Sequence, residues 1–439
     1  MEPGADNGES SRRTSGSRRT SAWRVANFRR LWFGSTVSWF GSEMGELALP
    51  LLAIITLSAS AAEIGLLRAA QFLPFLLATL PLGVLVDRRR RLPLMIGADL
   101  GRFLLIGAIP VLVWVGVAHM EILYIIVFTA GSLTVLYQLA DFAFLPRVVP
   151  TADLLDANSK LAASQSAAET SGKGVGGLFV QALSAPFAVL LDALTYLVSA
   201  ISLRRISVDE SSFAPSSDRA TARRDIVEGL HLVFRNKYVR PLLGEATTFN
   251  FFNEIFILGL LLYTVRELDM SPALLGLIFT AGGVGTFLGA WYGTRVTGYL
   301  GYGRALLATM LLGNTAPLGV LLVDGPGAAS LPIFGTAFFL IGLGTGLANV
   351  HAVSLRQTAI PGELQGRVNA AYRLLSWGAV PLGAGLGGLL AAWYGGHAAM
   401  LVGAIGVPLA TLWVAISSVP RLATINDASL PLAPADDRS

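Results

Sequence analysis

Cysteine is absent from all 439 residues, which excludes disulfide scaffolding, thiolate nucleophiles and thiolate metal sites. Charge is scarce too: Asp, Glu, Lys and Arg make up 14% of the chain, against about 25% in ordinary soluble domains. The four histidines (119, 231, 351 and 397) show no metal-ligand spacing. No nucleic-acid reader motif accompanies the modest net charge of +4, so nucleic acid is not an expected partner. The one nucleotide-loop look-alike, "GKGVGG" (172–177), follows no strand and fails its structural test.

What is present is apolar. Hydrophobic residues make up 53% of the chain, in runs of about 18 to 25 residues recurring from Leu31 to Val419. Each run is long enough to cross about 30 Å of hydrocarbon as a helix. Reading the runs between polar breaks predicts an all-α integral membrane protein of about twelve spans, centred near residues 44, 74, 104, 132, 169, 195, 253, 284, 313, 341, 380 and 408.

The connections alternate in charge. One set holds "DRRRR" (87–91), "PRVVPTADLLDANSK" (146–160), the 204–240 segment, the Arg295–Arg304 stretch and "RQTAIPGELQGR" (356–367). The other set holds a single Lys or Arg, Arg266. The positive-inside rule makes the arginine-rich loops and both termini cytoplasmic, in a multi-pass protein of the cell membrane. Residues 1–26, with "SSRRTSGSRRTSAWR", read as a disordered basic tail. Its arginine pairs are not an export signal, because many spans follow. Residues 206–240 read as a linker whose second part puts Ile226, Leu230, Val233 and Phe234 on one helical face, suited to an interfacial helix. Residues 421–439 read as a cytoplasmic tail.

Sliding the chain by 211 residues pairs Gly65 with Gly276, Pro150 with Pro361, Asn158 with Asn369, and "GKGVGG" with "GAGLGG" (383–388). A duplication follows, with an N-terminal six-helix half over 27–205 and a C-terminal half over 241–420. Parallel halves of this kind typify transporters with a site between them near mid-membrane. Gly172, Gly176, Gly177, Gly383, Gly387 and Gly388 are expected at close helix contacts, as sliding surfaces or as static packing.

Two stretches carry a family resemblance. "GVLVDRRRR" (83–91) is similar to the loop signature joining spans 2 and 3 in the major facilitator superfamily, with Gly83, Asp87, Arg88 and Arg91 in the matching places and Arg90 where glycine is usual. "AETSGKGVGG" (168–177) resembles the span-5 signature of proton-driven antiporters, with Ala168 for its first glycine and Lys173 for its proline. "LPRVVPTADLLDANS", "APFAVLLDALTYLVSA", "DIVEGLHLVFRNKYVRPLL" and "RQTAIPGELQGRVNAAYRLLSWGAVPLGA" resemble the drug-efflux branch that includes macrolide and enterobactin exporters. The resemblance implies twelve helices in two pseudo-symmetric halves, a monomer surrounded by lipid, a small-molecule substrate, no cofactor and a proton gradient as energy source. It also implies that Asp87 meets the start of span 11 near Arg367, latching the cytoplasmic side.

Ionised groups within spans are costly and default to functional candidates. Glu43 and Glu46 stand one turn apart in span 1 and, with Glu169 and Glu254, are the candidate proton carriers. Glu169 and Lys173 are spaced for an i,i+4 pair, structural or switching. In span 7, Asn250, Asn253 and Glu254 share a face beside Phe252 and Phe256. With Gln138 in span 4, these asparagines and phenylalanines are the candidate cavity residues for an amphipathic ligand, although asparagines also serve helix packing. Asp99 and Arg102 read as an internal ion pair; Arg68, Asp141, Asp192 and Arg373 are in-span charges with no rank. His351 reads as structural. The alternatives are a facilitator or uptake carrier for a metabolite and, from other classes, a membrane enzyme or scaffold.

Overall fold

A computed structural model describes residues 21–208, 219–323, 325 and 330–428. The N-terminal half holds α1 (Ala26–Leu51), α2 (Ala61–Leu77), α3 (Thr79–Arg88), α4 (Arg91–Val115), α5 (Met120–Val148), α6 (Leu154–Ala182) and α7 (Ala185–Arg204). After α8 (Arg219–Arg235) come α9 (Val239–Arg266), α10 (Pro272–Leu300), α11 (Tyr302–Thr315), α12 (Ser330–Thr358), α13 (Gln365–Gly406) and α14 (Ala410–Ala415).

Local sequence accounts for the breaks. Ser60 and Glu63 form a reciprocal capping box that starts α2. The 51° bend between α2 and α3 lies one turn before Pro81, whose missing N–H cannot bond the carbonyl four residues back. α13 turns back at Gly395, whose φ of 88° suits glycine, so this one continuous stretch crosses twice.

Eight helical stretches among the described residues are long and apolar enough to cross a membrane, or nine with α2 and α3 taken together. The Gln365–Ala415 stretch supplies two crossings through the turn at Gly395. The remaining long helices, α1 of 26 residues and α6 of 29, fall outside that set. They carry Glu43, Glu46, Glu169 and Lys173, so these two polar spans hold three of the four candidate proton carriers, the fourth, Glu254, lying on α9. The expected twelve-span architecture stands.

Within the halves, α1 packs on α6 and α7, α4 on α5 and α7, α9 on α13, and α10 on α12. Between them, α2 packs on α13 and α6 on α10. These inter-half contacts close at the end away from the arginine-rich loops, where Gly65 meets Gly388, Gly177 meets Gly276 and the Arg266 guanidinium donates to the Ala59 carbonyl.

Two expectations about the ends change. Residues 22–24 of the tail form a helical turn, with buried Ala22 donating its N–H to Asp156 at 2.8 Å and Trp23 edge-on to Trp32. At the far end, the carbonyls of Leu422 and Ala423 accept from the N–H groups of Gly303 and Tyr302, covering the start of α11. Residues 1–20, 209–218 and 429–439, where the tails and first part of the linker were placed, lie outside the described residues. The linker helix forms as α8, but it packs on α13: Val233 is fully buried and Glu228 pairs with Arg367 at 2.9 Å.

Candidate functional site

Four helices bring five charged side chains together in the middle of the bundle. Arg68, on α2 and 7% exposed, is the hub. Its Nε donates to Glu254 Oε1 at 2.8 Å and its Nη2 to Glu254 Oε2 at 3.2 Å, a two-pronged pair that crosses from one half to the other. The same guanidinium reaches Glu46 Oε1 at 3.4 Å on α1. Lys173, on α6, approaches Glu46 at 3.3 Å and Glu43 at 3.6 Å. Three carboxylates therefore share two cations, and Glu43 has the weakest cation contact of the three.

The expected i,i+4 pair is not made. Lys173 turns to the two carboxylates of α1, while Glu169 accepts from Gln165 at 2.9 Å. Two acids facing the ammonium across a tight helix contact outweigh one acid on its own helix. That contact exists because Gly172 and Gly176 let α6 lie against Glu43 and Met44. The related glycines Gly383 and Gly387 do the same for α13 against Phe251 and Ile255 of α9.

Beside the network lies a cavity of about 190 Å3, lined by Glu43, Glu46, Gln71, Phe72, Phe75, Gln138, Asp192 and Tyr196, with Trp377 from the C-terminal half. Phe75 and Trp377 stack at 5.4 Å, and Arg373 lies over both rings and donates to Gln138. On the cavity wall, Arg102 forms the expected ion pair with Asp99 behind it, and its guanidinium sits between the rings of Tyr196 (4.3 Å) and Tyr137 (4.7 Å).

Of the residues expected to line a cavity, Gln138 lines this one, whereas Asn250, Asn253, Phe252 and Phe256 of span 7 do not. Asn250 donates to the Ser376 carbonyl at 2.8 Å, a helix-packing bond. Phe256 is fully buried and stacks on Phe338, and Phe252 lies against Gly406. Asn253 is half-buried and makes no hydrogen bond to a described residue. Their shared helical face is real, but α9 packs mainly on α13, and residues 244–253 are half-buried without lining the cavity.

The latch is also unmade. Asp87 forms no hydrogen bond or ion pair with any described residue, and a side chain at Gly83 would meet open space. Arg88 is exposed, Arg91 is half-buried, and Arg367 is held by Glu228. His351 is buried, with its Nε2 at 2.9 Å from the Gly293 carbonyl, in keeping with a structural role. Arg68, which its own sequence neighbourhood could not rank, joins the halves. The available signal was that a mid-span arginine requires a carboxylate partner from another helix.

Comparison with known proteins agrees with this architecture. Residues 31–382 match the Major Facilitator Superfamily. The MFS-type transporter YfiS of Bacillus subtilis (strain 168) is 28% identical over 372 residues, covering 84% of this chain and 87% of that protein. The multidrug efflux pump Tap of Mycolicibacterium fortuitum is 27% identical over 413 residues, covering 91% and 97%. The macrolide efflux protein A of Streptococcus pyogenes is 24% identical over 233 residues, covering 52% and 56%. In structure, the nucleoside transporter NupG shares the fold with a TM-score of 0.71 at 10% identity, over 89% of this chain and 99% of that one. Two halves related by an internal repeat, charged side chains joined between them and a family match across both halves identify the chain as a membrane transporter, not an enzyme, and it belongs to the major facilitator superfamily.

Proposed function

We propose that the protein exports an amphipathic small molecule from the cell in exchange for protons, by alternating access. The relationship to Tap over most of both chains supports export. The arginine-rich loops support placing the latch end and both termini in the cytoplasm.

The Arg68–Glu254 pair carries the coupling part of this reading. Opening the outer end requires α2 to part from α13 and α9, which pulls Arg68 away from Glu254. Arg68 keeps a carboxylate when this happens, because Glu46 belongs to its own half. Glu254 keeps none, since Arg68 is its cation partner among the described residues. A buried carboxylate without a cation is costly, and a proton from outside removes that cost. On reclosure Arg68 displaces the proton toward the inward-facing cavity. Glu43 and Glu46, held by Lys173, line that cavity and sense what occupies it.

Everted membrane vesicles test the reading with a panel of amphipathic compounds that includes macrolides. Acidifying the lumen should drive accumulation by the wild-type protein and none by Glu254→Gln present in equal amount. Accumulation that ignores the pH gradient would remove proton exchange.

A further inference from the structure

A second group of carboxylates lies within the N-terminal half, apart from the inter-half network. Asp99 of α4 is fully buried, Asp192 of α7 is 5% exposed, and Asp141 lies on α5. Each has one buried carboxylate oxygen with no hydrogen-bond partner among the described residues: Asp99 Oδ2, Asp141 Oδ1 and Asp192 Oδ1. Arg102 is the cation among them, and it is committed to Asp99.

Among the described residues, the surroundings of Asp192 offer no other cation. From α1, Gly45 lies against Asp192 Oδ2, Ser42 bonds Tyr196, Ser35 bonds Tyr137, and Glu43 and Glu46 line the shared cavity. From α4 come Asp99 and Arg102; from α5, Tyr137 and Asp141; on α7 itself, Tyr196. Lys173 and Arg68 are held by Glu43, Glu46 and Glu254. If fully ionised, this interior would hold three negative charges against one positive, away from water, which the membrane penalises heavily. Protons are the ligands that remove that excess.

We propose that Asp192 is a second proton-binding carboxylate, exchanging its proton through the cavity it shares with Glu43 and Glu46. Asp99 is ion-paired, and Asp141 lies off the cavity wall; Asp192 alone of the three combines a buried, unpartnered oxygen with a place on that wall. The proton sits on Asp192 Oδ1 and passes to or from water in the cavity, with no bond to carbon made or broken. Its place in the transport cycle rests on the exchange reading above, but its existence does not.

Infrared spectroscopy of the purified protein in lipid, titrated over pH without substrate or gradient, tests this. The carbonyl stretch of protonated carboxyls should titrate in the wild type, lose one component in Asp192→Asn and keep that component in Glu254→Gln and Glu43→Gln. Asp192→Glu keeps a carboxyl in place and should shift that band without removing it, which provides the reading if the asparagine variant fails to fold. Identical titrating bands in wild type, Asp192→Asn and Asp192→Glu overturn the proposal. A transporter found not to exchange protons would still show the band, so the two failures are distinguishable.

Discussion

Gly65 and Gly388 press α2 and α13 together so closely that a Cβ on Gly65 would lie 2.6 Å from the Gly388 Cα, and a Cβ on Gly388 would lie 2.7 Å from the Gly65 Cα. The 211-residue repeat supplies the companion pair: a Cβ on Gly177 of α6 would lie 2.9 Å from the Gly276 Cα of α10. Both pairs cross between the halves at the same end, so the duplication has built one closure twice.

Gly388→Ala should therefore wedge that end open, because the obstructing atoms are backbone and cannot rotate away. With no native cysteine, Leu49→Cys on the cavity wall is a clean reporter. Its reaction with an impermeant maleimide from outside should quicken roughly tenfold in Gly388→Ala, a shift of about 1.4 kcal/mol. An unchanged labelling rate would show that the glycine contact does not govern closure.

Asp87 has no hydrogen-bond or ion-pair partner among the described residues while the opposite end is shut, as a latch serving the other state would have none. Asp87→Asn should cut transport by roughly tenfold or more, about 1.4 kcal/mol of lost stabilisation, with unchanged protein in the membrane. Transport at the wild-type rate would leave the loop only its topological role.

Lys173→Gln should lower thermal stability in detergent, since it leaves Glu43 without its cation. Removing one partner of a fully buried pair costs about 3–5 kcal/mol; this group is about a quarter exposed, so the loss should fall below that range. Adding Glu43→Gln to Lys173→Gln should recover part of the loss, and a double-mutant cycle measures the coupling. Strict additivity would mean that the pair does not interact.

Arg68→Lys should impair transport although the charge is kept. An ammonium cannot hold both oxygens of Glu254 and still reach Glu46 as the planar guanidinium does. Wild-type transport by the lysine variant would show that charge alone suffices at this position.

The spans, the two halves and their duplication were legible in the chain, because hydropathy over a membrane thickness and a repeat at fixed offset are properties of one dimension. So was the placing of Glu43 and Glu46 on one face of a helix, and the Asp99–Arg102 pair, since neighbours one turn apart stay neighbours. Partner choice across helices was not legible. Lys173 had a partner in Glu169 four residues away, yet the glycines of α6 bring α1 so near that Glu43 and Glu46 take it. Arg68 finds Glu254 186 positions along the chain, a distance that no local pattern encodes. Asp87 shows a third limit: the contact with Arg367 that the resemblance implied is not made, and Arg367 is held by Glu228 instead. The sequence determined that this chain crosses the membrane in two related halves. Only the tertiary structure decided which buried charges neutralise one another, because in hydrocarbon that choice follows from the few ångströms separating packed helices.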